Sequence, residues 1–579
     1  MTVHATTIHS TMTRARTPAT ERVWLLVVCA AAALVYGNGL GRLPLWRDEV
    51  ASVDIAARPV PRILAALGRI DVVHGLYYLL LHAVLQVDGS EVAVRMPSLA
   101  GAVAAVGLAA ELARRVLGVV PATVAAAVMI ANPLLSFYAR EARPYALGVM
   151  LVCAAAFVLL GTTWRWRGPL FVVFAVLTTY MHLFDALALA GLASGLLPAD
   201  RPHPRAVLVG AGGYAVAVAP LVVAAVAQAG QVSWVQRPTG DDIRFLVADL
   251  AGSTYGEWAA AVLLAGAVAA LALRRRWDGD GALFTTSLLA AVAGPAVLLT
   301  VSWLGHPLYV ERYVLAAMPM LALALGAAVR LLPATVWVAG IALAVALTGL
   351  PAAWTGPASK SEDLRAAAAY LDGAAVAGDC IAYDPSWARL GLEYYLRSPG
   401  PRDVALDPGP EGHDPVGLFP AERPEADVVA ILRGCPRVWV AGYPGPVGRW
   451  RPRPEVTGAA LAAVRPGFVA SAPMGFGDFT LTLWTSDPRP AAVITTGATT
   501  TGATTTAAPA AAAAPTVEPA AAASSGGGVP AWVWVAVGAR RDRRDGGGRA
   551  PAVPPALNIT RALDITPAAG NSGAPPGDP

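Results

Sequence analysis

Charge is what this chain lacks most. Asp, Glu, Lys and Arg together make up 14% of its 579 residues, where a soluble protein carries about 25%. Apolar residues make up 56%. The shortfall excludes an ordinary soluble globule and points to a polytopic membrane protein. Lysine is almost absent, and heavy use of Ala, Gly, Pro and Arg is the composition of a GC-rich genome such as an actinobacterium's. The arginines are dispersed and the net charge is only +4, so no basic face exists for nucleic acid. Cysteine is scarce as well. Cys29 and Cys153 fall in apolar runs and read as small buried hydrophobes. Cys380 and Cys435 fall together in the C-terminal region. A signal cleavage site is also lacking. Arg14, Arg16 and Arg22 precede the first apolar run, but no small-residue site follows it. The run from about Val23 to Leu40 therefore reads as a retained transmembrane helix.

Further apolar runs start near Val92, Val119, Tyr145, Gly168, Leu183, Ala206, Trp258, Ala282, Tyr313 and Ala334. Lys and Arg collect in cytoplasmic loops. Arg114 and Arg115, Arg165 and Arg167, Arg201 and Arg205, Arg274 to Arg276, and Arg330 all fall inside if the N-terminal segment (1–22) is inside. This sidedness requires two short crossings between Gly168 and Leu197, turning outside near "TYMHLF". The expectation is eleven helices over residues 23–351, with a first external loop over 41–91. Residues 352–487 are different material. "SEDLRAAAAYL" reads as an amphipathic helix, and "DCIAYD", "RVWVAGY" and "DFTLTLW" as short strands. Together they predict a small α/β extracytoplasmic domain, where an oxidising medium favours a Cys380–Cys435 disulfide. Residues 488–579 are low-complexity Thr, Ala, Pro and Gly sequence and read as disordered.

What is there, within this apolar background, is a set of ionisable residues on one face. Asp48, Glu49, His74, Glu141, Arg143, His182, His306 and Arg312 all map to the outer surface or just inside it. Ionisable groups at membrane depth are costly and usually functional. A transporter or flippase would spread such groups across both faces and the midplane; in a non-catalytic envelope scaffold the acids would be incidental and their substitution tolerated. One-sided chemistry favours an enzyme. Soluble nucleotide-activated donors stay in the cytoplasm, so a group transferred outside must arrive on a carrier such as a polyprenyl phosphate. The reaction needs a carboxylate to take a hydroxyl proton, which "LPLWRDEVAS" supplies as Asp48 or Glu49. It also needs donors for the departing phosphate, for which Arg143, His182 and Arg312 are candidates. Adjacent carboxylates also suit a divalent cation, Mg or Mn.

The order of "W-x-D-E", "HGLYYLLLH", "SEVAVRMPS", "NPLLSFYAREARPYAL", "TTYMHLF" and "HPLYVERYVLAAMP" over about residues 20–400 resembles the GT-C superfamily of polyprenyl-phosphate-sugar glycosyltransferases. The branch it is most like is related to protein O-mannosyltransferases and the lipid A aminoarabinose transferase. The resemblance implies a GT-C-like fold of about eleven transmembrane helices. It implies a catalytic Asp48–Glu49 pair, and substrate contacts from His74, Tyr138, Glu141, Arg143, Tyr145, His182, His306 and Arg312. It also implies an enzyme of the cell membrane that moves a sugar, mannose among the candidates, to an external glycan, lipid or protein. Relatives usually read His-Pro-Pro-Leu-Tyr-Tyr where this chain has His74 to Tyr78. One residue and both prolines are gone, which implies a reshaped loop.

Overall fold

The computed structural model describes residues 19–194, 204–274, 279–357, 360–397, 400–409, 420–443 and 458–486. The expected disordered tail, and Arg201, Arg275 and Arg276, lie outside the described residues.

Every apolar run folds as a helix: Ala19–Gly37, Glu91–Leu117, Val119–Ile130 with Pro133–Ala139, Tyr145–Gly161, Arg167–Met181, Ala186–Ser194, Pro204–Ala227, Thr254–Arg274, Gly279–Trp303, Ala317–Leu331, and Thr335–Ala346 continued by Leu350–Thr355. Among the described residues, six helices are long and apolar enough to cross a membrane, or seven if a bent pair counts as one span. The bend is 63° between Val119–Ile130 and Pro133–Ala139. The sequence shows a single apolar run here, starting near Val119. The cause of the break is Asn132-Pro133: proline cannot continue the ladder, and Asn132 starts a new helix by accepting from Leu135 N at 2.9 Å. The two apolar helices over 167–194 are short. Their turn is His182, whose backbone is extended (φ −153°, ψ 111°).

The membrane core is built largely from alanine, which lets helices approach closely. A Cβ on Gly191 would lie 2.5 Å from Ala290 Cα, so the helices Ala186–Ser194 and Gly279–Trp303 meet backbone to backbone. The first loop, expected simply as a loop, contains three helices: Arg47–Ala57, Val60–Leu67 and Gly75–Leu85. They pack on a small core of their own around Leu45, Ile55, Ile63, Tyr77, Tyr78 and Leu81.

After the last membrane helix the described residues form a six-stranded mixed sheet. Its strands are β1 (Cys380–Asp384), β2 (Arg402–Asp403), β3 (Arg437–Gly442), β4 (Val469–Ala470), β5 (Met474–Phe476) and β6 (Phe479–Thr485). The order is β2-β1-β3-β6-β4, with β5 also on β6. β1 runs parallel to β2 and β3, and β6 antiparallel to β3. Alternation along the strands feeds two cores, as a period of two requires. Ile381, Tyr383, Trp439 and Leu481 meet the helix Leu364–Ala374 on one face. Ala382 and Val438 meet Val428 and Leu432 on the other. Cys380 and Cys435 form a disulfide there, Cα to Cα 5.9 Å.

Candidate active site

The chain order places every site residue at a helix end of the same sense. The helix Arg47–Ala57 follows the first span. Glu141 and Arg143 occupy the turn between the third and fourth, His182 the turn between the fifth and sixth, and Arg312 the connection before Ala317–Leu331. Each of these positions follows an odd-numbered apolar helix in chain order.

Asp48 and Glu49 lie in the first turn of Arg47–Ala57, where acidic residues favour a helix start. The two side chains then part company. Glu49 is fully buried. Arg95 grips it bidentately, Nε to Oε1 at 2.7 Å and Nη2 to Oε2 at 2.8 Å. Lys360 Nζ donates to Oε2 at 2.7 Å and Ala142 N to Oε1 at 2.8 Å. Burial alone would raise the Glu49 carboxyl, but Lys360 and Arg95 overcome it and hold it below the usual carboxylate range. An acid so committed keeps no oxygen for substrate. Asp48 is half-buried, and among the described residues its carboxylate makes no hydrogen bond or ion pair. Its backbone oxygen accepts from Ser52 Oγ at 3.0 Å and Arg143 Nη1 at 3.3 Å.

Arg143 is buried. It donates to Ser52 Oγ at 3.1 Å and lies 5.7 Å from the Tyr145 ring centre. Burial works against its charge, but Tyr145, Asp48, Tyr78 and Asp71 outweigh that and raise its pKa. Arg312 lies 5.3 Å from the Trp234 ring and 5.5 Å from that of Tyr313. Among the described residues neither arginine has a carboxylate partner within 4 Å, and the Nε of each is buried without an acceptor. An aromatic wall joins them: Tyr138 to Tyr145 at 5.0 Å, Tyr145 to His182 at 5.3 Å and His182 to Tyr313 at 5.7 Å. Asp185 holds His182 Nδ1 at 2.9 Å. Gly148 makes room for that pair, since a Cβ there would fall 2.1 Å from Asp185 Oδ2.

His74 is buried, its Nδ1 3.6 Å from Asp71 Oδ1. Asp71 sits at φ +54° and accepts from Tyr78 OH at 2.9 Å. The shortened loop is pinned across the site by Gln228 and Gln231, which accept from Val72 N at 3.0 Å and Asp71 N at 3.1 Å. His306 is exposed in the turn after Gly279–Trp303, and its side chain joins none of these pairs.

Glu141 is fully buried, with Lys360 Nζ 3.4 Å from Oε1. Burial pushes its carboxyl up, to about 7, against the pull of Lys360. An acid raised on folding from 4.5 contributes its full stability below the unfolded value and loses it as pH rises toward the folded one. Glu141→Gln is therefore expected to melt above the parent protein at pH 8, with the gap closing as pH falls toward about 4.5. A gap that stays constant with pH would show that Glu141 is not the titrating group.

Two participants escaped the sequence reading. Lys360 is buried and joins Glu49 to Glu141. Glu362, also buried, accepts from Arg47 N at 2.6 Å and from Tyr443 OH. The available signal was compositional: Lys360 is the single lysine of the chain. Among the described residues no group of three His, Cys, Asp or Glu is placed to hold a metal ion, and both oxygens of Glu49 are already taken by cations.

No family model matches the chain, and no curated protein matches it by sequence. Solved structures do. The chain is similar to the crystal structure of ArnT from Cupriavidus metallidurans in the apo state, with a TM-score of 0.53 and 13% identity, covering 80% of this chain and 98% of that one. It is also similar to the same protein bound to undecaprenyl phosphate, with a TM-score of 0.51 and 12% identity over the same coverage. At this identity the likeness shows the fold alone: a polytopic helical membrane architecture followed by a small α/β region.

Proposed function

We propose that the protein is a membrane glycosyltransferase that takes a sugar from a polyprenyl phosphate and passes it to an acceptor hydroxyl on the extracytoplasmic face. The observation that carries this is the pair of guanidiniums, Arg143 buried and Arg312 half-buried with its Nε enclosed, neither with a carboxylate within 4 Å among the described residues. Holding a guanidinium out of water without an ion-pair partner is expensive, and a site that keeps one buried and one half-buried is prepared for an anion. The carboxylate of Asp48, which has no hydrogen bond or ion pair among the described residues, acts through its charge on Arg143. The structural neighbour with undecaprenyl phosphate bound supports a lipid phosphate as that anion.

In the proposed reaction the acceptor oxygen attacks the anomeric carbon while Asp48 takes its proton. The bond from that carbon to the phosphate oxygen breaks, and the electron pair leaves with the lipid phosphate. Arg143 and Arg312 stabilise the charge that develops there. Tyr138, Tyr145 and His182 form the aromatic row beside Arg143. Direct displacement inverts the anomeric centre. Glu49 touches no substrate in this scheme and fixes the loop instead.

Binding of undecaprenyl phosphate to the purified protein is the test. Charge-assisted hydrogen bonds contribute about 1.5–3 kcal/mol each, so Arg143→Gln and Arg312→Gln are each expected to weaken binding by about 10- to 100-fold. Unchanged affinity in both would remove the phosphate from this site.

A further inference from the structure

Asp48 stands between two residues that one short segment holds in place. That segment, Lys360 to Glu362, leaves the last membrane helix and leads into the helix Leu364–Ala374 of the α/β region. On one side of Asp48, Glu362 accepts from Arg47 N at 2.6 Å and lies 3.5 Å from its guanidinium. Arg47 also lies 5.4 Å from the ring centres of both Trp387 and Tyr443, two residues of the α/β region. On the other side, Lys360 Nζ reaches Glu49 Oε2 at 2.7 Å.

We infer that Lys360 and Glu362 are positioning residues for Asp48, through which the α/β region sets the rate of transfer. This rests on the reading of Asp48 as the base. The geometry of the segment supports it. A carboxylate at the first turn of a helix favours its start and fixes its direction, and Glu362 does this from outside the membrane half. Lys360 Nζ donates to Glu49 Oε2 at 2.7 Å and to the Arg140 carbonyl at 3.5 Å, with Glu141 Oε1 3.4 Å away as an ion pair. The Phe137 ring closes the remaining side, 5.8 Å from Nζ to its centre. A compact ammonium suits this gap, and a planar guanidinium fork does not. That gives a physical reason for the one lysine in a chain whose 43 lysines and arginines are otherwise all arginine.

Neither residue touches substrate in this account. Both act through the backbone and side chains that flank Asp48. A displacement of about 1 Å in a reacting group can cost about 10²-fold in rate. The donor lipid is held elsewhere, by Arg143 and Arg312. Loss of Lys360 or Glu362 should therefore appear in kcat and leave donor KM alone.

The experiment compares the full-length protein with Lys360→Met, Lys360→Arg, Glu362→Ala and Asp48→Asn in liposomes. Donors are a radiolabelled panel of undecaprenyl-phosphate pentoses and hexoses, and undecaprenyl phosphate binding measures the folded fraction. The expected result for Lys360→Met and Glu362→Ala is a fall in kcat of about 10- to 100-fold, with donor KM and undecaprenyl phosphate affinity within about twofold. Lys360→Arg, which keeps the charge but not the shape, should recover part of the loss. If Lys360→Met does not fold, Lys360→Arg and Glu362→Ala still decide, since both must show the kcat defect. Wild-type kcat in these variants with an inactive Asp48→Asn overturns the positioning role alone. A rise in KM at constant kcat, or a loss wholly accounted for by folded fraction, overturns it as well. Full activity in Asp48→Asn overturns the base assignment first and this inference with it.

Discussion

Asp48→Asn is expected to lower sugar transfer by about 10²- to 10⁴-fold, the range for loss of a general base, while the protein inserts and folds normally. The expectation of normal folding comes from what Asp48 lacks. Its carboxylate makes no hydrogen bond or ion pair among the described residues, so an amide of the same shape disturbs little. Its backbone contacts to Ser52 and Arg143 survive the change. Undecaprenyl phosphate should still bind, because Arg143 and Arg312 are intact, and the defect should lie in kcat. Circular dichroism, lipid binding and turnover on one preparation check all three statements. A variant that turns over at the parental rate would make Asp48 a solvated loop residue.

The second large effect is structural. Arg95→Met is expected to destabilise the protein by about 3–5 kcal/mol, the cost of breaking a buried ion pair from one side. Arg95 is 1% exposed and makes five hydrogen bonds. Two go to Glu49. The others go to the carbonyls of Leu40 at 2.8 Å, Leu43 at 2.9 Å and Pro44 at 2.9 Å, so one guanidinium both neutralises the buried acid and laces the connection from the first span to the Asp48 helix. Arg95→Lys should rescue little, because an ammonium cannot reproduce a fork that meets five acceptors. Removing Glu49 as well, in Glu49→Leu/Arg95→Met, should recover part of the loss, since Lys360 still has Glu141. Thermal melting in detergent measures the series. A double variant no better than Arg95→Met alone would place the cost in the three carbonyls and not in the charge.

These two expectations assign adjacent acids opposite tasks, and the sequence could not make that division. Scarcity of charge made "RDE" conspicuous, and it also made the eleven helical runs readable. The partners that distinguish the pair come from far along the chain. Arg95 is 46 residues from Glu49, and Lys360 is 311. Local pattern carries no information at such separations. The break at Asn132-Pro133 was legible in principle, because proline chemistry is local. The three helices of the first loop were hidden by composition: Gly75–Leu85 is apolar but only 11 residues long, too short to span and too apolar to read as loop. His306 shares a motif with Arg312, yet a turn of a few residues separates the exposed side chain from the site. Asp71 proves to lie beside His74, its Oδ1 3.6 Å from the ring Nδ1.

The central claim is that this chain cleaves a polyprenyl-phosphate sugar with Asp48 as base. The most direct measurement gives the purified protein, in liposomes, a panel of undecaprenyl-phosphate pentoses and hexoses with external glycan, lipid and protein acceptors, and follows the release of undecaprenyl phosphate together with the anomeric configuration of the product. The account predicts release from at least one donor, an inverted product, and loss of both in Asp48→Asn. A protein that binds undecaprenyl phosphate but releases none from any donor, or an Asp48→Asn variant that releases it at the parental rate, would contradict it.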